Sequence, residues 1–396
     1  MPQAGGTRMR GGTMLAKRMS RLGTETAFEV LARAKAMEAQ GRDVVHLEIG
    51  EPDFDTPSNI RDAAKKALDG GYTHYNPSAG LPQAREVFAE FITRDRGLEV
   101  TPENIVITPG AKPILFFSIL ALVDEGDEVI YPNPGFPIYE SVINFVGAKP
   151  VPIPLREERE FSFDLDEMRS LVNDKTKLII INTPQNPTGG ILTAADMKGI
   201  AELAEKHDAW ILSDEVYSKM VYDGKHVSIY DYPEVKDRTI LLEGHSKTYA
   251  MTGWRLGYAA MPKELAAQIA KLQTNSNSCT ASFTQMAGIE AITGPQDESK
   301  KMMAEFKARR DLIVDGLNRI KGFSCLKPKG AFYVFPNITG TGRKSKELEE
   351  YLLEKAGVAG LSGTSFGKYG EGYLRFSYAN SQENLKKALK KIEEVI

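Results

Sequence analysis

"KLIIINTPQNPTGG", residues 177–190, decides the fold. Leu178 to Ile181 are uniformly apolar, which marks a strand buried on both faces, as in a parallel sheet. The run ends in a polar loop. Pro184 and Pro187 stiffen it, Gly189 and Gly190 let it turn, and Asn186 sits between. A strand covered on both faces needs helices on either side of its sheet.

Those helices are legible on both sides. Upstream, "NIVIT" (104–108) leads into the helical "AKPILFFSILALV", and "EVIY" (128–131) leads into a helix through "PIYESVINFVG". Downstream, the helix "AADMKGIAELAEKH" is followed by "AWILSD" (209–214), "TILLEG" (239–244) and "LGYAAM" (256–261). Strands alternating with helices predict an α/β domain with a mainly parallel sheet. Helices near 263–276 and 283–292 follow, then one long amphipathic stretch, "DESKKMMAEFKARRDLIVDGLNRI". Beyond it the short strand-like runs "AFYVF" and "YLRFSY" alternate with helices, which suggests a smaller α+β domain. The expected organisation is a flexible leader over 1–20, with Met14 an alternative start; a small domain from 21–60 plus 291–396; and a large domain over 61–290.

The chain has 396 residues, 42% hydrophobic and 26% charged, with a net charge of −3. That balance gives no field for nucleic acid or an anionic membrane. No apolar run reaches the length of a membrane span, and the basic, glycine-rich N-terminus lacks the apolar core of a secretory signal. Two cysteines, Cys279 and Cys325, make neither a disulfide framework nor a metal cluster, so a reducing, cytoplasmic setting is expected.

Ligands of open α/β sheets sit beyond the carboxyl ends of the strands. Here those ends carry Asn186, Asp214 with Tyr217 three residues on, the "HSK" of Ser246 and Lys247, and a "PGAK" turn whose Gly110 opens a helix. Each alone has a plain explanation as a cap, a turn or a solvated surface group. Together they fall at one edge of one sheet, and a single ligand accounts for them. A helix start, a serine and Arg255 would grip a phosphate. A buried carboxylate would hold a ring nitrogen's proton, a tyrosine and an asparagine would meet a phenolic oxygen, and a lysine would form a Schiff base with an aldehyde. That ligand is pyridoxal 5′-phosphate.

"SKTYAMTGWRLGY", "NPTGG", "SDEVY", "GEPDFDTP" and "YNPSAGLPQAREV" together resemble the fold-type I pyridoxal-phosphate enzymes. More closely, they resemble class I/II aminotransferases of the bacterial and archaeal aspartate aminotransferase subgroup. The resemblance runs from about residue 20 to the end. It implies that Lys247 is the Schiff-base lysine and proton shuttle, and that Asp214 pairs with the pyridinium nitrogen. It implies contacts from Tyr217 and Asn186 to the phenolic oxygen. Arg255 and Ser246 would bind the phosphate, with Gly110 and the backbone of Ala111 and Lys112 completing the cradle. Phe136 would stack on the ring. Arg375 would clamp the substrate α-carboxylate, with Asn186 and a backbone donor at Gly50 beside it. Tyr75 would reach the cofactor phosphate of a neighbouring subunit, which implies a homodimer with shared active sites.

Lys112 also falls where aspartate-specific members carry a lysine for the side-chain carboxylate. Glu25 aligns with an N-terminal stretch that closes over substrate, and a carboxylate there leaves room for a broader amino-donor range. The implied reaction is ping-pong transfer of an amino group from aspartate or another dicarboxylic or broad donor to a 2-oxo acid such as 2-oxoglutarate. A C–S β-lyase and an aromatic or broad-range aminotransferase share the same cofactor grip and remain as alternatives, because the motifs do not report which Cα bond is aligned with the ring.

Two readings of other classes fail. "GTSFG" (363–367) fits a G-x-S-x-G nucleophile elbow, but no strand-like run is expected before it and the five histidines end at His245. A regulator fusing this domain to a DNA-binding module would need more than the twenty or so residues that precede the match.

Overall fold

The structure is a computed structural model, and it describes residues 15–396. Residues 1–14 of the expected leader, Met14 included, lie outside the described residues. Lys17–Arg21 forms a single 3-10 turn. It is attached to the helix Ile138–Val146 and its C-terminal end: Arg21 Nη2 donates to the Phe145 carbonyl at 3.1 Å, and the Gly23 N–H donates to Ser141 Oγ at 2.9 Å.

The first strand, β1 (Val45–His46), stands apart from the main sheet. The main sheet has seven strands: β2 (Ile105–Thr108), β3 (Glu128–Asn133), β4 (Lys149–Pro154), β5 (Thr176–Asn182), β6 (Trp210–Asp214), β7 (Thr239–Gly244) and β8 (Gly257–Ala260). Their order is β2-β8-β7-β6-β5-β3-β4, and only β8 runs against the rest. This is the mainly parallel α/β sheet expected from the strand–helix alternation.

The apolar run that opened the reading explains the layers. In β5, Leu178 and Ile180 join a core with Ile114 and Ile143, from the helices Lys112–Leu122 and Ile138–Val146. Ile179 and Ile181 point the other way, into a core with Met197 and Ile200 of the helix Ala194–Lys206. Successive strand residues face opposite sides of a sheet, so an unbroken apolar run fills both cores. All four side chains are buried, and full burial of one contributes roughly 1.5–3 kcal/mol. The helix Ala194–Lys206 begins with a capping box. Thr193 Oγ1 accepts from the Asp196 N–H, and the Asp196 carboxylate accepts from the Thr193 N–H. That fixes where the chain turns back after the "NPTGG" loop.

Strand β4, "KPVPIP", is not apparent from sequence, because three prolines argue against a strand. It lies at the sheet edge, where one side of the backbone has no ladder to complete, and it pairs with β3 alone. The remaining strands are β9 (Tyr333–Val334), β10 (Val358–Ala359), β11 (Leu361–Ser362) and β12 (Leu374–Ser377). β1 pairs in parallel with β10, and β11-β12-β9 form an antiparallel sheet. Residues 45–46 therefore join the C-terminal third, and β12 carries Arg375. Contrary to expectation, a short strand, β11, does lead into "GTSFG". It continues into a 3-10 turn, Gly363–Phe366, where a nucleophile elbow needs a helix.

Candidate active site

One cleft of about 530 Å³ opens at the carboxyl ends of the parallel strands. β5 delivers Asn186 to it, β6 ends on Asp214 with Tyr217 just beyond, and β7 leads into the turn His245–Thr248 that holds Ser246 and Lys247. Because β8 is antiparallel, its beginning lies at this same edge, which is why Arg255 joins the set. Ala111, Lys112, Phe136, Gly50 and Arg375 also line the cleft. Gly110 lies beneath Arg255: a Cβ there would stand 2.1 Å from Nη2, and its φ of +90° favours glycine independently. Tyr75 is not brought into the cleft; it is 90% exposed.

Lys247 Nζ donates to the Gly50 carbonyl and lies 5.7 Å from the Phe332 ring centroid. Desolvation in the cleft is the main cause that lowers its pKa, to about 8. Glu51 opposes that shift, while Arg375, Arg255 and Lys112 add to it. An amine in this range has a far larger neutral fraction near physiological pH than a solvated lysine, and the neutral form is the one that acts as nucleophile or proton acceptor.

Asp214 is buried and lines the cleft. Its Oδ2 accepts from Tyr139 Oη at 2.7 Å, and the Val216 N–H approaches Oδ1 at 3.4 Å. Both donors are neutral, so burial prevails and raises the carboxyl to about 6. Tyr217 Oη and Tyr333 Oη are 2.8 Å apart, and burial holds the Tyr217 phenol well above its usual value. Tyr333 also crowds Gly50, where a Cβ would stand 2.0 Å from its hydroxyl oxygen.

Arg375 is 4% exposed. Its Nη2 donates to the Glu48 carbonyl and its Nη1 to Asn186 Oδ1 at 3.3 Å, while its buried Nε has no partner. The guanidinium lies over Tyr333 at 4.6 Å and Phe366 at 4.9 Å. Arg255 Nη1 donates to the Thr252 carbonyl at 2.7 Å. Lys112 Nζ pairs with the Glu25 carboxylate and lies 5.4 Å from the Phe136 ring centroid.

Two partners were not found from sequence. Tyr139 is an apolar-face residue of a helix and gives no periodic signal of its hydroxyl's destination. Tyr333 lies within the short run "AFYVF", whose alternation suggests only a strand.

A buried carboxyl with no cation bonded to it, a sheltered amine and a guanidinium seated on a glycine turn define a site that binds an anionic, cationic-ring aldehyde cofactor. The Asp214 carboxyl, hydrogen-bonded only by a phenol and an amide, is the observation that fits a protonated pyridine nitrogen. Comparison with known proteins agrees. The family model "Aminotransferase class I and II" matches residues 42–392, and the chain belongs to that family.

Among its relatives, an aspartate aminotransferase of Pyrococcus horikoshii is 45% identical over 93% of each chain. An aromatic-amino-acid aminotransferase of Thermococcus litoralis is 42% identical over 90% of this chain and 93% of that one. The solved aspartate aminotransferase of Thermus thermophilus with maleate superposes with a TM-score of 0.92, at 37% identity, over 98% of this chain and all of that one. The protein is a pyridoxal 5′-phosphate-dependent aminotransferase of the aspartate aminotransferase subgroup.

Proposed function

We propose that this aminotransferase takes its amino group from aspartate, glutamate or a broader set of donors, delivers it to a 2-oxo acid such as 2-oxoglutarate, and uses Lys247 as its catalytic base. The observation that carries the reading is one cleft holding an amine near pKa 8, a buried carboxyl without a cation and an arginine with a free Nε. Pyridoxal 5′-phosphate, when bound, supplies the electron sink that stabilises negative charge at the substrate Cα. Asp214 holds the ring nitrogen's proton, and Tyr217 with Asn186 holds the phenolic oxygen. Arg255, Ser246, Gly110 and the start of the Lys112–Leu122 helix hold the phosphate, and Phe136 covers the ring.

Arg375 binds the substrate α-carboxylate. Its contacts to Glu48 and Asn186 engage one N–H of each Nη, which leaves the other N–H of each, and Nε, for a bidentate carboxylate. That grip fixes the Cα–H bond next to Lys247. The Lys247 amine takes the Cα proton of the donor and later returns a proton to the Cα of the acceptor. Lys112 reads a distal side-chain carboxylate. Aromatic walls, with Phe28, Phe136 and Phe366 among the lining residues, support a donor range that includes uncharged side chains.

Residues 21–60 with 291–396 make a small domain that carries Arg375 over the large domain 61–290, excluding water from the cleft. The exposure of Tyr75 supports a homodimer in which it reaches the partner's site, and the two unpaired cysteines support a cytoplasmic setting. Among the described residues no helix is long and apolar enough to cross a membrane. Initial rates with aspartate and 2-oxoglutarate test the reaction. Parallel double-reciprocal lines are expected, and intersecting lines would contradict a donor half-reaction completed before the acceptor binds. Sedimentation tests the dimer, which a single monomeric species would exclude.

A further inference from the structure

The Glu25 carboxylate meets the Lys112 ammonium within the cleft lining. The Glu25 side chain is 19% exposed and that of Lys112 46%. Glu25 stands two residues before the helix Ala27–Glu38, whose Thr26 cap makes no side-chain bond. Upstream, residues 15–24 are exposed, and the chain is attached through Arg21 and Gly23. Rotating Glu25 away from the cleft therefore disrupts no packed core. Its charge also acts on Arg375 and Tyr333, deeper in the site. The chain itself thus places an anion beside the Lys112 ammonium, against the aromatic ring of Phe136.

We propose that Glu25 is a specificity-determining residue that exchanges places with the substrate's side-chain carboxylate on Lys112. With an uncharged or aromatic donor the Glu25–Lys112 pair stays closed and presents a neutral wall, so no bare ammonium is desolvated against an apolar group. With a dicarboxylic donor, Glu25 turns toward solvent and one carboxylate replaces another on the same cation. The exchange conserves the charge contact, so one cleft admits both classes with modest discrimination. A half-exposed ion pair of this kind shifts an equilibrium by up to about fivefold. The inference rests on Lys112 as the reader of the distal carboxylate.

Steady-state kinetics of Glu25→Gln, Lys112→Met and the double variant, each with aspartate and with phenylalanine as donor, separate the two ideas. Glu25→Gln is expected to lower the aspartate KM about threefold to fivefold, with kcat within about twofold, and to raise or leave the phenylalanine KM. In the Lys112→Met background the Glu25 effect should vanish. Equal changes for both donors, an unchanged aspartate KM in Glu25→Gln, or a native enzyme that does not use phenylalanine would each overturn the proposal. If Lys112→Met raises the aspartate KM while Glu25→Gln changes nothing, the role of Glu25 alone fails. If Lys112→Met leaves the aspartate KM unchanged, the reading of Lys112 fails and this inference with it.

Discussion

Asp214 and Glu215 are chain neighbours, both buried, and their carboxyls are driven in opposite directions. Asp214 is raised to about 6 and Glu215 is lowered to about 2. Neighbouring residues at a strand end face opposite sides, so they enter different surroundings. Glu215 accepts from Arg96 Nη2 at 2.9 Å, Ser213 Oγ at 2.8 Å and Ser228 Oγ at 2.7 Å, and lies 2.5 Å from His226 Nε2. The same Arg96 nitrogen donates to Glu243 at 2.8 Å, and burial raises that second carboxyl to about 7. Asp214 has only a phenol and a distant amide. The difference teaches how to separate a structural charge from a functional one: Glu215 has a bonded cation, Arg96, within the chain, whereas Asp214 has none bonded and leaves room for one from outside.

The strongest way to break this comparison is in the open region. Lys247→Ala is expected to lower amino transfer by roughly 10⁴-fold, measured as oxo-acid formation, while thermal unfolding of the ligand-free chain changes little. Activity near the native level would mean that the sheltered amine is not the base.

In the closed region the expected loss is stability. Arg96→Met leaves two buried carboxyls without their cation and should destabilise the fold by roughly 3–5 kcal/mol, read by denaturant unfolding. The aspartate KM of the fraction that stays folded should hold. A stable variant with an altered KM would show that the cluster belongs to the site.

Asp214→Asn comes next, with an expected drop in kcat of roughly 10²-fold. Its stability effect has the opposite sign to that of Arg96→Met. Because the folded pKa of Asp214 lies above its ordinary value, the folded chain favours the protonated form, and this group's contribution worsens as pH rises from about 4 through about 6. At pH 8 the ligand-free Asp214→Asn chain should unfold at a temperature equal to or above that of the native chain. A lower melting temperature would show that the carboxylate already has its partner.

The smallest effect is a titration. Acylation of Lys247 in the ligand-free protein, followed by mass spectrometry, should rise with pH and reach half its limit near pH 8, where the amine loses its proton. A midpoint above 10, as for a solvated lysine, would remove the shelter from the argument.

Sequence revealed the open region better than the closed one, for a physical reason. Residues that meet a ligand stand at strand ends beside turn-forming glycines and prolines, so "NPTGG", "SDEVY" and "HSK" announce themselves locally. The partners of Glu215 beyond its own strand come from Arg96, at the end of the helix Pro82–Arg96, and from His226 and Ser228 in one later loop, and nothing in the sequence links the two places. Tyr139 and Tyr333 stayed hidden for the same reason, since each acts through a contact made only after folding. β4 was missed because edge position, which excuses its prolines, is a property of the sheet. The Glu25–Lys112 pair, 87 residues apart, is likewise a product of the fold.

The most direct test of the central claim is the visible absorption spectrum of the protein carrying pyridoxal phosphate, recorded before and after aspartate and then after 2-oxoglutarate. The account predicts a visible band that aspartate bleaches and 2-oxoglutarate restores, and that Lys247→Ala does not show in the resting state. A resting band that is identical in Lys247→Ala, or one that no amino donor changes, would contradict it.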